Sequence, residues 1–235
     1  MTGILTKALI VTKKQWQLLL FTVAVTVLFQ MDYGLGNENF GFVILIAIPY
    51  LFWMIFTFCL PKLIHFKTEH NNATLVELLK LYSTYIPKLF FQIIGLMFLV
   101  IALMFILITM VYGFFRVFGI ENSRSIFESG PTDLNYLLFQ LFLNIVMAFF
   151  SFQNVLYFFR KYTFFYALKG SINVAKRHLP FTIMIGVAYY LTTVSFAFIG
   201  AVSWYQNLLV GILSGLQIYF FAVVILLFFE KKVKE

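Results

Sequence analysis

Six apolar segments, each about as long as a membrane-spanning helix, dominate the chain. A hydrocarbon core about 30 Å thick is crossed by ~20 mostly apolar residues in a helix. Lipid offers no partner to backbone polar groups, so such segments must be helical. The sequence therefore predicts an all-α integral membrane protein, with residues 1–235 forming a single transmembrane domain. Its bundle of six helices is expected at about residues 16–34, 40–60, 89–115, 136–159, 181–204 and 208–229.

The composition supports this class and argues against a nucleic-acid-binding protein. Apolar residues make up 62% of the chain and charged residues 11%, whereas soluble domains average about 45–50% and 25%. The net charge of +8 would suit a nucleic-acid partner. However, the basic residues flank apolar segments and do not form one patch, which is typical of membrane topology signals.

The distribution of Lys and Arg predicts the orientation in the membrane. With both termini inside, 15 of the 17 basic residues are cytoplasmic, and only Arg116 and Arg124 lie outside. Cytoplasmic loops collect Lys and Arg because these residues resist translocation. We therefore expect a multi-pass protein of the cell membrane with cytoplasmic termini. The N-terminus has no cleavage-site pattern, so we expect the first segment to be retained.

Residues 165–179 show the pattern of an amphipathic helix that lies on the cytoplasmic surface. Apolar residues recur at steps of three and four, and polar residues fall mostly on the other face. Pro180 follows and suits the first turn of a new helix. Similar segments at 73–88 and, more faintly, at 4–14 suggest three units, each an interfacial helix followed by two spans. The apolar set is Phe165, Leu168, Ile172, Ala175 and Leu179, facing Lys169, Asn173, Lys176 and Arg177.

The basic residues of this amphipathic helix are candidate contacts with the membrane surface or a partner. Lys169, Lys176 and Arg177 lie in a stretch without acidic residues. Each cation near an anionic surface contributes about 1 kcal/mol to lipid attraction. Membrane lipids are therefore the expected partner. The same surface could instead dock a cytoplasmic partner, such as an ATPase or a permease subunit of a transporter.

A polar stripe in the fourth segment is the candidate binding site. On a continuous helix its members lie within about 40° of one another. An unpaired amide in hydrocarbon costs several kcal/mol, so the stripe should face the bundle or a water-filled cavity. Two interpretations stay open: hydrogen bonding between helices, and a surface for a translocated solute or ligand. The stripe comprises Gln140, Asn144, Ser151 and Asn154, with Thr192, Thr193, Ser195, Ser214 and Gln217 as candidate partners.

Gly211 and Gly215 form a G-x-x-x-G step in the sixth segment. Small residues at this spacing let two helices approach closely. We interpret the step as a packing feature within the chain.

The sequence offers no catalytic, metal or cofactor site, so we do not expect an enzyme. The central portions of the six segments hold no charged residue or histidine, which argues against a proton-coupled pump. Cys59 is expected to be a buried small hydrophobe, with reversible palmitoylation as the alternative. The spacing of His65, Glu69 and His70, H-x-x-x-E-H, is one residue longer than that of the H-x-x-E-H zinc motif. We interpret these residues as part of a solvated loop.

The closing part of the chain resembles the YesL-like family of six-span membrane proteins from Gram-positive bacteria. The resemblance rests on Ala167-Leu168 through Ala175, then His178-Leu179-Pro180-Phe181-Thr182, and the tail at 230–235. The segment at 75–91 is similar in placement. The resemblance covers about the last 70 residues. It implies six spans, no catalytic residues, and an association with carbohydrate uptake and utilisation.

These observations lead to two functional hypotheses. The first is a transport-associated membrane protein, either an accessory subunit or a small permease-like component, in which the polar stripe contacts the solute. The second is a scaffold or regulator that does not transport and binds lipid or another membrane protein through its interfacial helices.

Overall fold

The computed structural model describes residues 2–30, 40–117, 134–199 and 204–232. Every regular element in these ranges is a helix, as the sequence predicts. In chain order they are α1 (Thr2–Lys14), α2 (Trp16–Gln30), α3 (Phe40–Glu69), α4 (Leu75–Val117), α5 (Leu134–Ala148), α6 (Gln153–Phe159), α7 (Phe164–Arg177), α8 (Leu179–Ile199) and α9 (Trp204–Lys232). The predicted outer loops, with Arg124 and all five of their acidic residues, lie outside the described residues.

Two helical stretches in the described ranges are long and apolar enough to cross a membrane. They are Gln140–Phe159 and Tyr205–Lys232, and α1 with α2 adds a third if this pair, bent by 85°, counts as one span. A shorter apolar helix covers Leu179–Ser195. These findings are compatible with a membrane protein. The six-span bundle and its orientation stay predictions.

Close helix packing depends on two glycines. A Cβ atom on Gly215 of α9 would lie 2.6 Å from the Cα of Val23 in α2. A Cβ on Gly186 of α8 would lie 2.8 Å from the Cα of Ile145 in α5. Both distances are below any normal carbon–carbon contact, so only glycine fits at either position. The G-x-x-x-G step therefore serves packing within the chain, as predicted, through its second glycine.

The elbow between α1 and α2 is fixed by a buried glutamine. Gln15 is 4% exposed, and its Nε2 donates to Ile64 O at 3.1 Å and to Thr68 Oγ1 at 2.8 Å in α3. Its Oε1 accepts a 2.9 Å hydrogen bond from the hydroxyl of Tyr219 in α9, which is fully buried. We call Gln15, Ile64, Thr68 and Tyr219 the Gln15 node. The node joins the α1–α2 elbow to α3 and α9, and both the nitrogen and the oxygen of the Gln15 amide have hydrogen-bond partners.

The three predicted interfacial segments take two different forms. α1 and α7 are separate helices that end at an elbow, and Pro180 lies in the first turn of α8, as predicted. Thr182 Oγ1 closes the second elbow by donating to Ala175 O at 3.1 Å. The middle segment has no elbow, because α4 runs through Pro87 as one helix of 43 residues. At 1.5 Å per residue it is about 65 Å long, twice the hydrocarbon thickness.

α4 begins with a capping box that the sequence signature T-x-x-E could have predicted. Glu77 accepts hydrogen bonds from the backbone N–H of Thr74 at 2.7 Å and from its hydroxyl at 3.2 Å. The backbone N–H of Glu77 donates in return to Thr74 Oγ1 at 3.3 Å. The two hydrogen bonds from Thr74, the backbone one above all, lower the pKa of the Glu77 carboxyl.

Candidate functional site

The stretch predicted as the fourth span is interrupted in the structure. α5 ends at Ala148, α6 begins at Gln153, and residues 149–152 form turns between them. Successive backbone hydrogen bonds here join residues three apart, as in Ser151 N to Ala148 O at 3.1 Å and Gln153 N to Phe150 O at 3.0 Å. We call residues 149–152 the α5–α6 break. Winding with three residues per turn rotates the side chains that follow relative to their positions on a continuous α-helix.

A single serine from the interfacial helix α7 holds the α5–α6 break. Ser171 is fully buried, and its Oγ donates to Phe149 O at 2.7 Å. The same Oγ accepts the backbone N–H of Phe152 at 3.0 Å. Irregular backbone at membrane depth leaves polar groups that need partners, and Ser171 supplies one donor and one acceptor. α7 can reach the break because it packs through small residues, Ala167, Ser171 and Ala175.

A cavity of about 250 Å³ lies beside the break, between α3, α6, α8 and α9. The hydrogen-bonding side chains in its wall are hydroxyls and carboxamides, and aromatic rings complete much of the rest. Its lining is Trp53, Thr57, Phe58, Phe150, Ser151, Gln153, Asn154, Tyr189, Ile218, Ala222 and Ile225. We call it the break cavity.

The break cavity lies within about 15 Å of the basic ends of the surrounding helices, measured at 1.5 Å per residue. Tyr189 is ten residues beyond Leu179, where α8 begins, and Ala222 precedes Lys231 of α9 by nine residues. Basic residues are nearer on the other two helices, where Lys62 follows Thr57 by five residues and Arg160 follows Asn154 by six. The cavity therefore lies toward the end of the bundle that carries these basic residues.

The structure divides the predicted polar stripe. Ser151 and Asn154 line the break cavity, whereas Gln140, Asn144, Ser214 and Gln217 do not. Asn144 Nδ2 donates to Gln140 O at 2.8 Å, one turn back in α5. The proposed partners in α8 also bond within their own helix: Thr192 and Thr193 to Tyr189 O at 2.8 and 2.9 Å, and Ser195 to Leu191 O at 2.7 Å.

Gln153 is the cavity residue that sequence reasoning missed. It is 4% exposed, lines the cavity, and its Nε2 has no hydrogen-bond partner. On a continuous helix Gln153 lies about 140° from Gln140, so a helical wheel puts it on the opposite side from the stripe. The α5–α6 break brings it beside Asn154 and Ser151. The sequence signal that could have identified Gln153 is the pair of consecutive carboxamides, Gln153 and Asn154, within an apolar segment.

The basic residues predicted to contact a membrane or a partner are exposed on α7. Lys169, Lys176 and Arg177 face outward. Phe165 and Tyr166 are 63% and 69% exposed beside them, so part of the predicted apolar face is not covered by the chain. The covered face is formed instead by Phe164, Ala167, Ser171 and Ala175. Small side chains there allow the backbone of α7 to approach the break.

The remaining candidates have structural contacts. Cys59 is fully buried, as predicted for a small hydrophobe, and its thiol is out of reach of a modifying enzyme. His65 Nε2 lies 3.0 Å from Glu69 Oε1, and its Nδ1 lies 3.2 Å from Glu230 Oε1, so the ring links α3 to α9. His70 stacks on Phe66. Within the described residues no three His, Cys, Asp or Glu side chains are arranged to hold a metal ion.

Comparison with protein-family models, with curated proteins and with solved structures finds no match to this chain. The resemblance to the YesL-like family therefore stays a prediction.

Proposed function

We propose that this chain is a transport-associated membrane protein, a small permease-like component whose solute occupies the break cavity. The six-span arrangement with both termini in the cytoplasm is part of this proposal. The observation that carries it is the coincidence of an interrupted helix with a cavity whose wall includes the polar side chains of Thr57, Ser151, Gln153 and Asn154. Interrupted helices that line a central cavity are the usual way in which transporters build a solute site in an apolar bundle.

Lipid is not a suitable neighbour for the irregular backbone of the α5–α6 break. Backbone that leaves the helical pattern is tolerated at membrane depth only where protein buries it or a water-filled cavity adjoins it. Here Ser171 covers part of the break, and the cavity adjoins the rest. A bundle whose only task is to anchor the chain has no need of either feature.

The test is solute uptake into proteoliposomes that contain the purified protein. We expect uptake of a small solute above that of empty vesicles, and loss of this activity in Ser171→Ala, which releases the break. Ser83→Ala is the matched control, because Ser83 is exposed and its Oγ bonds only to Lys80 O in its own helix. The proposal fails if no solute enters faster than in empty vesicles, or if the two variants behave alike.

The exposed surface of α7 favours a second candidate, a scaffold that binds lipid or a partner subunit. Aromatic residues beside cations, here Phe165 and Tyr166 next to Lys169, are typical of helices that lie in a membrane interface. Charge reversal at Lys169, Lys176 and Arg177 should then abolish the binding of anionic lipid to the purified protein and the recruitment of an ATPase subunit. In this case Ser171→Ala should leave recruitment unchanged.

A further inference from the structure

The chemistry of the break cavity limits what it can bind. None of the described residues that line it is charged. A charged solute entering this cavity would lose its hydration without meeting a counter-charge in the wall, which costs several kcal/mol. Hydroxyl and carboxamide groups can replace the hydration of an uncharged polar solute by direct hydrogen bonds. The wall therefore favours uncharged solutes.

The carboxamide of Gln153 provides a donor that no protein group satisfies. Leaving a buried N–H unpaired costs about 1–3 kcal/mol, and buried polar groups in folded proteins are nearly always paired. Gln15 is equally buried, and both its amide nitrogen and its amide oxygen have hydrogen-bond partners. A second cavity, which we call the groove beside Trp16, is lined by residues that include Trp16, Leu20, Lys67 and Leu75. Among the described residues two other buried atoms lack partners, Thr12 Oγ1 and Gln92 Oε1, and they belong to residues that line neither the break cavity nor that groove. Gln153 thus combines a buried, unpaired donor with a side chain that forms part of the wall of a space large enough for a ligand.

The size of the cavity and the aromatic side chains in its wall further limit the class of solute that can bind. Its volume of about 250 Å³ lies just below the ~300–1,000 Å³ of sites for drug-sized molecules. Trp53, Phe58 and Tyr189 supply aromatic surface against which the C–H groups of a solute can pack. An occupant of this cavity is small, bears an acceptor oxygen, and has apolar edges.

We infer that the break cavity binds a small uncharged solute whose carbonyl or hydroxyl oxygen accepts a hydrogen bond from Gln153 Nε2, with Ser151 and Asn154 as neighbouring polar contacts. The inference rests on the proposed function, because the cavity is its solute site. It adds the chemical class of the solute and the donor that recognises it.

Trp53 offers a direct optical test. The chain has three tryptophans, so Trp16→Phe with Trp204→Phe leaves Trp53, in the cavity wall, as the only one. The purified protein in nanodiscs is titrated with erythritol and acetamide as uncharged probes, and with lactate and ethanolamine as charged ones. We expect a saturable change in Trp53 emission with an uncharged probe only. Gln153→Leu and Gln153→Met, which lack the donor, should raise Kd at least tenfold, and Gln140→Leu, the same change outside the cavity, should leave Kd within twofold.

Each contrary result identifies which claim fails. A saturable change that a charged probe produces as well as an uncharged one overturns the solute class. Equal Kd values for the wild type and the Gln153 variants overturn the role of this donor, and no saturable change with any probe overturns the site itself. Binding with the expected pattern but without uptake in proteoliposomes upholds the inference and overturns only the transport role.

Discussion

The Gln15 node and the region of the α5–α6 break are two buried polar clusters that differ in how completely their polar groups are hydrogen-bonded. Each involves a glutamine that is 4% exposed, Gln15 in the node and Gln153 directly after the break, and each lies at an interruption between two helices. In the node, each end of the amide has a protein partner, and Gln15 lines neither the break cavity nor the groove beside Trp16. At the break, Ser171 satisfies the backbone, while Gln153, whose Nε2 has no partner, lines a cavity. This difference supports the proposal that the first cluster serves stability and the second binds a ligand.

The largest effect on stability is expected at the node. Gln15→Leu removes two donated hydrogen bonds and strands the buried hydroxyl of Tyr219, so we expect a loss of about 3 kcal/mol in the free energy of unfolding. The measurement is reversible unfolding in mixed micelles by denaturing detergent. Gln17→Leu, on the exposed side of the same turn, is the control and should cost less than about 0.5 kcal/mol.

Helix packing next to each cluster can be tested with glycine substitutions. Gly186→Ala forces the backbones of α8 and α5 apart, and we expect a loss of about 2 kcal/mol, with a similar or larger loss for Gly215→Ala between α9 and α2. Gly95→Ala is the control, because a Cβ there meets nothing within 4 Å. It should raise stability by ~0.5–1 kcal/mol, since alanine favours a helix over glycine. Equal effects at all three positions would contradict the close approach of these two helix pairs.

Ser171→Ala tests how the break is held. The substitution removes one donor and one acceptor from turn backbone, and we expect a loss of about 1–2 kcal/mol. The same unfolding measurement applies. A cost below about 0.3 kcal/mol would mean that the break is stable without α7. The informative quantity is therefore the difference in the free energy of unfolding between Ser171→Ala and Ser83→Ala, since Ser83 is exposed.

The smallest change in stability is expected at Gln153, although this residue is as buried as Gln15. Replacing an unpartnered amide by an apolar side chain of similar volume removes no protein hydrogen bond, so Gln153→Leu should stay within about 0.5 kcal/mol of the wild type or exceed it. A loss as large as that of Gln15→Leu would remove the distinction between the two clusters.

The sequence predicted the helical class and the approximate position of most helices, because apolar length and charge flanks are strong local signals. It also predicted the amphipathic helix α7 and the new helix at Pro180, whereas the position of α7 at a membrane surface stays a prediction. It did not predict that α4 is one helix through Pro87, because a proline inside a long helix looks the same in sequence as a proline at its start.

The candidate site was predicted only in part, for a geometric reason. A helical wheel assumes one continuous helix, and the α5–α6 break invalidates that assumption after Ala148. Ser151 and Asn154 were identified, whereas Gln153 was missed, because on a continuous helix it lies away from the stripe. Ser171 was missed because a serine on the small-residue face of an amphipathic helix carries no signal of what it will contact. The Gln15 node likewise depends on residues more than 200 positions apart.

Thiol labelling measures most directly whether the break cavity is hydrated. Cys59 is the only cysteine and is fully buried, so Cys59→Ala provides a background for Asn154→Cys in the cavity and for Thr22→Cys, a buried position in α2 whose hydroxyl bonds only within its own helix. We expect a small hydrophilic methanethiosulfonate to modify Asn154→Cys in intact vesicles at least a hundredfold faster than Thr22→Cys. Equal, slow rates at both positions would show that the break is a dry polar seam and would contradict a solute site in the break cavity.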